Sequence, residues 1–441
     1  MKMLEDYLRE NAQRFPERIA VVCGSQSLTY RELYGQVLEH VGDYEKGRIY
    51  AFRSSQDVDF LITYFAIHVS GAVAAPLERD IPEDKLRQLS DWMWACTPAE
   101  GTADILYTTG TTGQAKGVMV SHRAIVADAE NLVEAHGYRQ QTAFVIAGPL
   151  NHIGSLSKIY PVLLTGGTLI ILEGMKDMDA FFRAFQLPYT EFATFLVPAN
   201  IRILVRFCST RLQEVADRIA FVETGAAPLS QADMEEFCRL LPHTRLYNTY
   251  ASTETGIVAT YEYSLEGPVA GCLGRPMRHS SIEITPQHTI VCRGDTLMSG
   301  YLDNPSLTAQ VLYEDAVHTS DLGRLDGEGR LHLQGRDDDI INVGGFKVSP
   351  AEVEDVALSL PFVKDCICTA VPHPLTGQAL QLLVVLHEGG VLNKRELARL
   401  LSQRLETHKV PALYQEVDHI ERTFNGKLNR KFYRESTGGK A

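Results

Sequence analysis

The chain has 441 residues, of which 45% are apolar, so it can bury one large hydrophobic core and a smaller one. Its formal net charge of −13 argues against nucleic acid as a partner. The eight cysteines show neither a Cys-x-x-Cys pair nor metal-ligand spacing, which predicts reduced thiols. Residues 1–15 form an amphipathic, partly acidic pattern unlike a signal sequence, and no apolar run approaches a membrane span. We therefore expect a cytoplasmic protein.

Predicted strands and helices alternate through most of the chain. Apolar, β-branched runs predict strands, and amphipathic stretches predict helices. The strands are expected at residues 18–23, 142–147, 168–172, 194–197 and 218–222, and the helices at 30–42, 122–135, 178–185 and 230–241. This alternation indicates the α/β fold class, with layered sheets in a large N-terminal body.

The pattern changes in the last third of the chain. Residues 267–333 contain short apolar runs separated by glycine turns and predict a small β-rich unit. Strands near 363–371 and 380–386, with a helix at 393–405, predict a compact α+β unit. Before them, Ser349, Pro350 and Glu352 predict a helix start with a capping box. We predict two domains, residues 1–337 and 338–441, with a hinge near Asp338.

The segment 107–117 reads Tyr-Thr-Thr-Gly-Thr-Thr-Gly-Gln-Ala-Lys-Gly and follows an apolar run. Its glycines let backbone N–H groups turn toward an anion, its threonines donate further hydrogen bonds, and Lys116 supplies a cation for a triphosphate. Because Lys116 precedes a glycine, the segment is not a Walker loop, and it is not a dinucleotide fingerprint either. Taken alone, it could also be a polar surface turn. With the motifs that follow it, it predicts a nucleotide site.

Six further motifs follow in a fixed order. They are Pro149-Leu-Asn-His-Ile-Gly154, Thr224-Gly-Ala-Ala-Pro-Leu229, Tyr250-Ala-Ser-Thr-Glu254, Thr319-Ser-Asp321, Gly335-Arg-Asp-Asp-Asp-Ile340 and Asn425-Gly-Lys-Leu-Asn-Arg430. With the segment 107–117, this ordered set resembles the adenylate-forming (ANL) superfamily, which includes acyl-CoA synthetases, free-standing adenylation domains and luciferases. The resemblance covers most of the chain. It implies a large N-terminal body and a small, mobile C-terminal lid.

The resemblance implies a complete nucleotide site. Tyr250 would offer an aromatic face to adenine, Asp321 would accept hydrogen bonds from the ribose hydroxyls, and Arg336 would donate to ribose or phosphate. The residues implied to bind ATP are Thr108, Thr109, Gly110, Thr111, Thr112, Gly113, Lys116, Gly225, Ala226, Ala227, Asn248, Thr249, Tyr250, Asp321 and Arg336.

The resemblance also implies the catalytic residues. Lys427 resembles the lysine that reaches from the lid to the carboxylate and the α-phosphate, although alone it would be read as a solvated lysine. Glu254 resembles a Mg²⁺ ligand, and Thr253 beside it resembles a phosphate contact. His152 takes the position beside the acyl carboxylate, with a packed or helix-capping histidine as the alternative. Asp338 matches the hinge, and Gly344 and Gly345 match the loop that admits a thiol.

The activity implied by the resemblance is ATP-dependent conversion of a carboxylic acid to an acyl-adenylate, with pyrophosphate release, followed by transfer of the acyl group to coenzyme A. Mg²⁺ would be the cofactor. The alternative is loading of an acyl or amino acid onto the phosphopantetheine of a separate acyl or peptidyl carrier protein. A nucleotide-binding protein without catalysis is disfavoured, because Lys116, Glu254, Asp321 and Lys427 are all present. The expected acid-lining segments, 152–157, 197–200 and 224–226, are mostly apolar or small and favour an aliphatic or aryl acid.

Overall fold

A computed structural model describes residues 2–109, 115–269, 271–387, 389–422 and 428–433. Five predicted site residues lie outside these ranges, namely Gly110, Thr111, Thr112, Gly113 and Lys427. The helices are α1 (Leu4–Arg14), α2 (Tyr30–His40), α3 (Val58–Ser70), α4 (Glu83–Ala95), α5 (His122–His136), α6 (Ile153–Leu156), α7 (Ile159–Thr165), α8 (Met178–Ala184), α9 (Pro198–Phe207), α10 (Ser209–Val215), α11 (Gln231–Leu240), α12 (Tyr263–Glu266), α13 (Pro305–Val311), α14 (Pro350–Leu358) and α15 (Lys394–Ser402).

The strands of the described part of the chain form three sheets. They are β1 (Ile19–Cys23), β2 (Gln26–Thr29), β3 (Ile49–Arg53), β4 (Val73–Leu77), β5 (Thr102–Thr109), β6 (Ala115–Ser121), β7 (Thr142–Ile146), β8 (Thr168–Ile171), β9 (Glu191–Phe195), β10 (Ile219–Gly225), β11 (Arg245–Ser252), β12 (Gly256–Glu262), β13 (Cys272–Pro276), β14 (Ser280–Ile284), β15 (Thr289–Gly294), β16 (Gly300–Tyr301), β17 (Leu312–Tyr313), β18 (Ala316–Leu325), β19 (Leu331–Arg336), β20 (Ile341–Val343), β21 (Phe346–Val348), β22 (Val363–His373), β23 (Gly377–Leu386) and β24 (Leu413–Glu416).

The largest sheet has two parts that differ in strand direction. Its strand order is β14-β15-β18-β19-β13-β12-β11-β10-β9-β7-β8-β1-β2, and β17 pairs with β18. From β11 to β1 the neighbouring strands run parallel, and from β11 to β14 they run antiparallel. The parallel part belongs to the predicted α/β body, and the antiparallel part contains the predicted β-rich unit. The fold-class prediction is confirmed.

A second sheet, with the order β16-β6-β5-β4-β3, packs in the same body. One apolar cluster joins strands of both sheets to α1, α3, α5 and α7, and its buried members include Phe65, Leu106, Leu132 and Phe144. Burial of these apolar side chains is the main driving force for folding the body. The two sheets are thereby held against one another, which matters because the predicted phosphate hairpin is in the second sheet.

The last part of the chain forms a third sheet, with the order β21-β20-β23-β22 and β24 beside β23. Its own apolar core includes Val353, Leu382 and Leu397. The predicted C-terminal strands and helix correspond to β22, β23 and α15. The boundary between residues 337 and 338 stays a prediction, as does the mobility of this unit.

The predicted capping box at the start of α14 is wrong in detail. Ser349 is the residue before the helix, but its side chain makes no capping hydrogen bond. Its Oγ is buried against Gly335, where an added Cβ would lie 2.6 Å from that oxygen. Glu352 instead accepts a hydrogen bond from Lys409 Nζ at 2.8 Å. Packing against the end of β19 has therefore replaced the local cap.

In the part of the chain that the structure describes, no helix combines the length and apolar character needed to cross a bilayer.

Candidate functional site

Asp321 is held by two side chains on neighbouring strands. In the antiparallel pairing of β18 and β19 it lies opposite Arg336. Arg336 Nε lies 3.0 Å from Asp321 Oδ1, and the Tyr250 hydroxyl donates to Oδ2 at 2.7 Å. Burial, followed by the neighbouring Asp321 charge, holds the pKa of Tyr250 well above its usual range, so this hydroxyl stays a donor. Each carboxylate oxygen keeps a further lone pair that can accept from a ligand hydroxyl.

Gly225 and Ala226 form a narrow backbone step where β10 ends. Gly225 pairs with Thr249 of the parallel neighbour β11, and an added Cβ at Gly225 would lie 2.8 Å from the Thr249 carbonyl oxygen. Ala226 then takes a left-handed backbone conformation with φ 69°, and Ala227 follows it half-buried. A left-handed alanine is strained, and strained backbone clusters at ligand sites. The carboxyl ends of parallel strands are also where α/β proteins bind ligands.

Two predicted nucleotide contacts on β11 have different surroundings. The Asn248 amide is buried and donates to the Tyr263 hydroxyl at 2.7 Å and to the Cys272 carbonyl at 3.2 Å. Its side chain therefore ties β11 to the neighbouring β-rich unit. Thr249 Oγ1 is buried and has no hydrogen-bond partner among the described residues, so it keeps its capacity to donate to a ligand.

Tyr301 brings the predicted metal ligand and the predicted phosphate-binding lysine together. Its hydroxyl donates to Glu254 Oε1 at 3.0 Å, and its ring centroid lies 5.5 Å from Lys116 Nζ. Burial and the Glu254 charge raise the pKa of Tyr301, which keeps the hydroxyl protonated. Sequence reasoning missed Tyr301, because nothing local distinguishes this tyrosine from a core aromatic. Thr253 lies half-buried next to Glu254.

Lys116 lies at the base of the hairpin formed by β5 and β6. In this hairpin Thr108 pairs with Lys116, and Thr109 pairs with Ala115. The turn itself, residues 110–114, and the side chains of Thr108 and Thr109 are outside the described part of the chain. The N–H of Leu302 also donates to the Gly117 carbonyl at 2.8 Å, which fixes Tyr301 beside this hairpin. The four loop residues 110–113 stay predictions.

On the predicted acid side, Phe195 lies between two glycines. An added Cβ at Gly154 would lie 3.3 Å from the Phe195 ring, and one at Gly225 would lie 3.8 Å from it. His152 precedes α6 as its N-cap residue, but its side chain makes no capping bond, and its Nε2 lies 3.5 Å from Asn151 Nδ2. The capping alternative for the His152 side chain is therefore not supported.

A charged pair adjoins this apolar region. Lys158 Nζ lies 5.2 Å from the Phe195 ring centroid and donates to Glu223 Oε1 at 2.6 Å, with each side chain 1% exposed. His136 Nδ1 lies 3.6 Å from Glu223 Oε2. Burial, followed by the Lys158 charge, holds the pKa of His136 well below its usual range, so this imidazole is neutral. Sequence reasoning missed this pair, which flanks the segments expected to be apolar. The only sequence signal for the pair is that Lys158 and Glu223 are charged residues inside two otherwise apolar runs.

The predicted thiol-access glycines form the turn between β20 and β21. Gly344 and Gly345 have φ values of 59° and 95°, and the N–H of Gly345 donates to Asn342 Oδ1 at 2.8 Å. An added Cβ at Gly345 would meet no described atom within 4 Å, whereas one at Gly344 would lie 3.1 Å from the Thr376 side chain, so only Gly345 faces open space. Asp338 lies in a short 3-10 turn just after β19, and its side chain is not described. The hinge and thiol-access assignments stay predictions.

Comparison with known proteins gives two family matches. The profile of the AMP-binding enzymes matches residues 94–302, and that of the AMP-binding enzyme C-terminal domain matches residues 352–427. Together they include the Lys116 hairpin, Glu254, the Phe195 region and most of the third sheet.

Individual relatives are similar at low identity. The 2-succinylbenzoate–CoA ligase of Bacillus cereus is 25% identical over 99% of this chain and 99% of its own length. The indoleacetate–CoA ligase of Aromatoleum aromaticum is 28% identical over 74% of this chain and 65% of its own. Surfactin synthase subunit 2 of Bacillus subtilis is 25% identical over 98% of this chain, which spans only 14% of that larger protein. The crystal structure of ATP-bound MatB from Rhodopseudomonas palustris has the same fold, with 22% identity, 99% of each chain covered and a TM-score of 0.88.

Proposed function

Because the chain belongs to the adenylate-forming superfamily of AMP-binding enzymes, we propose that it is an AMP-forming acid–thiol ligase. It joins a carboxylic acid to ATP as an acyl-adenylate with release of pyrophosphate, and it then transfers the acyl group to the thiol of coenzyme A. The observation that carries the proposal is the arrangement around residues 250–254. Tyr250 binds Asp321, and Glu254 four residues later binds Tyr301 beside Lys116.

In this proposal the nucleoside is held at the end of β11. Asp321 accepts hydrogen bonds from the ribose hydroxyls, and its orientation is fixed beforehand by Tyr250 and Arg336. The adenine lies along the backbone step of Gly225 and Ala226, where a larger residue at 225 would collide with β11. Because the Asp321 side chain is already oriented before ATP binds, less conformational entropy is lost on binding.

The negative charge of the ATP phosphates is proposed to be balanced by Mg²⁺ and by lysine side chains near Tyr301. The Glu254 carboxylate is a hard oxygen ligand whose Oε1 accepts a hydrogen bond from the Tyr301 hydroxyl, so it fits Mg²⁺. Bound Mg²⁺ would neutralise phosphate charge as pyrophosphate departs. Lys116 adds a fixed positive charge from the hairpin, and Lys427 is proposed to stabilise the carboxylate and the α-phosphate during attack. Fixed cations of this kind stabilise the negative charge that develops on the phosphates in the transition state.

The acid is proposed to bind near His152, Gly154 and Phe195. This region remains mainly apolar, which supports an aliphatic or aryl acid. The buried Lys158–Glu223 pair gives one side of the region hydrogen-bonding capacity. A search for the substrate should therefore include acids with a polar group far from the reacting carboxylate. A cytoplasmic location remains a prediction from the sequence.

The second candidate acceptor is the phosphopantetheine of a separate carrier protein. This candidate is supported by the similarity of 98% of this chain to part of surfactin synthase subunit 2, which is not named as a CoA ligase. The full-length similarity to a CoA ligase favours coenzyme A. Both acceptors present the same thiol arm, so Gly344 and Gly345 are proposed to border its path in either case.

The test is pyrophosphate release from Mg-ATP across a panel of fatty, aryl, dicarboxylic and amino acids, with and without coenzyme A. Continuous release that depends on one acid class and on coenzyme A would support the ligase. Release limited to about one equivalent per enzyme, with no effect of coenzyme A, would favour a carrier protein. If no acid gives release, the proposed function is wrong.

A further inference from the structure

Glu5, His68 and His122 meet in the body, on the first turn of α1, the last turn of α3 and the first residue of α5. None of them belongs to the predicted nucleotide or acid site. Their side chains are 8%, 0% and 12% exposed. We call them the Glu5–His68–His122 cluster. It joins three helices that are far apart in sequence.

One atom from each residue in the cluster is buried without a hydrogen-bond partner among the described residues. These atoms are Glu5 Oε2, His68 Nδ1 and His122 Nδ1. Glu5 Oε2 lies 3.9 Å from His68 Nδ1 and 3.7 Å from His122 Nδ1, and each of the three residues offers a ligand atom within 4.8 Å of those of the other two. These distances are too long for hydrogen bonds. An unpaired buried polar atom typically costs about 1–3 kcal/mol, so one partner that binds all three atoms would be stabilising.

A divalent transition metal satisfies all three atoms at once. Two imidazole nitrogens and one carboxylate oxygen are a ligand set that zinc uses in proteins. With metal–ligand bonds of about 2.0–2.1 Å in a tetrahedral site, ligand atoms lie roughly 3.3 Å apart. The distances from Glu5 Oε2 to His68 Nδ1 and to His122 Nδ1 exceed this value by about 0.4–0.6 Å. Binding one ion therefore requires the Glu5 carboxylate and the two imidazoles to move closer together.

The second ring nitrogen of His68, Nε2, contacts a carboxylate, as the second nitrogen of a metal-binding histidine commonly does. Its Nε2 lies 2.9 Å from Asp104 Oδ1, and Asp104 Oδ2 accepts a hydrogen bond from the Tyr64 hydroxyl at 2.8 Å. A carboxylate on the second ring nitrogen fixes that nitrogen as the donor and leaves the other as the ligand. The Asp104 contact therefore directs the lone pair of His68 Nδ1 toward the cluster.

We propose that Glu5, His68 and His122 bind one Zn²⁺ ion, with a water molecule as the fourth ligand. The ion crosslinks α1 to α3 and α5, so its role is to fasten the N-terminal helix to the body. This site is independent of the proposed ligase reaction. Its failure or success therefore says nothing about that reaction.

The test uses the full-length protein stripped with a chelator and dialysed into metal-free buffer without ATP. Zn²⁺ is added, and bound metal is measured by equilibrium dialysis and mass spectrometry, while thermal unfolding is followed in parallel. We expect one equivalent of tightly bound zinc and a higher Tm, both reversed by chelator. Glu5→Gln and His122→Asn should each weaken binding by more than about tenfold and abolish the Tm increase. The control His243→Asn, at an exposed histidine, should behave like the unsubstituted protein.

Cobalt separates this site from adventitious binding by the eight free cysteines. Co²⁺ bound by nitrogen and oxygen ligands gives weak visible bands without the intense thiolate-to-cobalt absorption. We expect those weak bands in the unsubstituted protein and their loss in Glu5→Gln. Absence of stoichiometric zinc binding would overturn the proposal and would leave a proton shared among His68, Glu5 and Asp104 as the partner. Equal binding by all variants, or a thiolate spectrum, would overturn it as well.

Discussion

Lys158 and Glu223 form an ion pair inside the body, with Nζ donating to Oε1 at 2.6 Å and each side chain 1% exposed. Lys158 directly precedes α7, whereas Glu223 is on β10, so the pair links a helix to the sheet that ends at Gly225. A buried pair of this kind stabilises little compared with apolar residues, but removal of one partner leaves an uncompensated charge.

Replacing one member of this pair should destabilise the protein far more than replacing both. We expect Lys158→Met and Glu223→Gln each to lower the free energy of unfolding by about 3–5 kcal/mol. The double variant should lose much less than the sum. The measurement is urea-induced unfolding of all four proteins in a double-mutant cycle. Additive losses would mean that the two charges do not interact.

Asp321→Asn should weaken ATP binding specifically. The amide removes one charged acceptor for the ribose, and such hydrogen bonds contribute about 1.5–3 kcal/mol. We therefore expect the KM for ATP to rise at least roughly tenfold, with little change in the KM for the acid.

The matched control for Asp321 is Asp326→Asn in the same hairpin. Asp326 binds Arg330 and His332 at the other end of β18 and β19. It should change neither KM. Equal effects of the two substitutions would indicate a general disturbance of the hairpin and would contradict the ribose assignment.

Tyr301→Phe should change the dependence of the reaction on Mg²⁺. The ring beside Lys116 is kept, but the hydrogen bond that orients Glu254 is lost. We expect the Mg²⁺ concentration for half-maximal rate to rise by about tenfold, since hydrogen bonds to charged groups contribute about 1.5–3 kcal/mol. Tyr313→Phe, at an exposed tyrosine, is the control. An unchanged Mg²⁺ dependence in Tyr301→Phe would separate Tyr301 from the metal site.

The buried carboxyl of Asp128 should make the free energy of unfolding depend on pH. Burial raises its pKa to about 8, although the N–H of Ile257 and the Lys158 charge act in the opposite direction. Between about pH 4 and pH 8 the folded protein keeps a proton that the unfolded chain has released. The free energy of unfolding should therefore fall as pH rises through this window, by up to about 1.4 kcal/mol per pH unit from this group.

Asp128→Asn should remove that contribution, because the amide oxygen can still accept from Ile257 N–H at the place of Oδ1. We expect the variant to gain stability relative to the unsubstituted protein as pH increases from 5 to 8. Urea unfolding at several pH values checks this. Asp59→Asn, at an exposed position, should show no such trend. A difference that does not change with pH would contradict a raised pKa at Asp128.

Sequence patterns were sufficient for some elements of the body. The runs at 142–147 and 218–222 correspond to β7 and β10, because a strand buried on both faces reads as a continuous apolar run. The pattern at 122–135 corresponds to α5, because a helix with one buried side has periodic apolar residues. The order of strands in the large sheet leaves no such record, since it depends on long-range packing. The predicted Ser349 cap failed for the same reason, because a tertiary contact with Gly335 outweighed the local motif.

The candidate site was predictable only where motifs are local. Asp321 and Tyr250 were expected near a nucleotide, and their hydrogen bond is consistent with that expectation. Tyr301 could not be found in this way, because it reaches Glu254 only when β16 pairs with β6 of the second sheet. Lys158 and Glu223 were visible only as charges inside apolar runs, and they meet only when the fold brings the residue before α7 to β10.

The most direct test of the account follows oxygen from the acid into AMP. If a carboxylate oxygen attacks the α-phosphorus and the thiol then displaces AMP from the acyl carbon, one oxygen of the acid remains on the phosphate of AMP. With the acid identified in the panel and labelled with ¹⁸O in its carboxylate, we predict one labelled oxygen in each AMP formed with the thioester. Thioester formed together with unlabelled AMP, or with labelled inorganic phosphate, would contradict the acyl-adenylate mechanism.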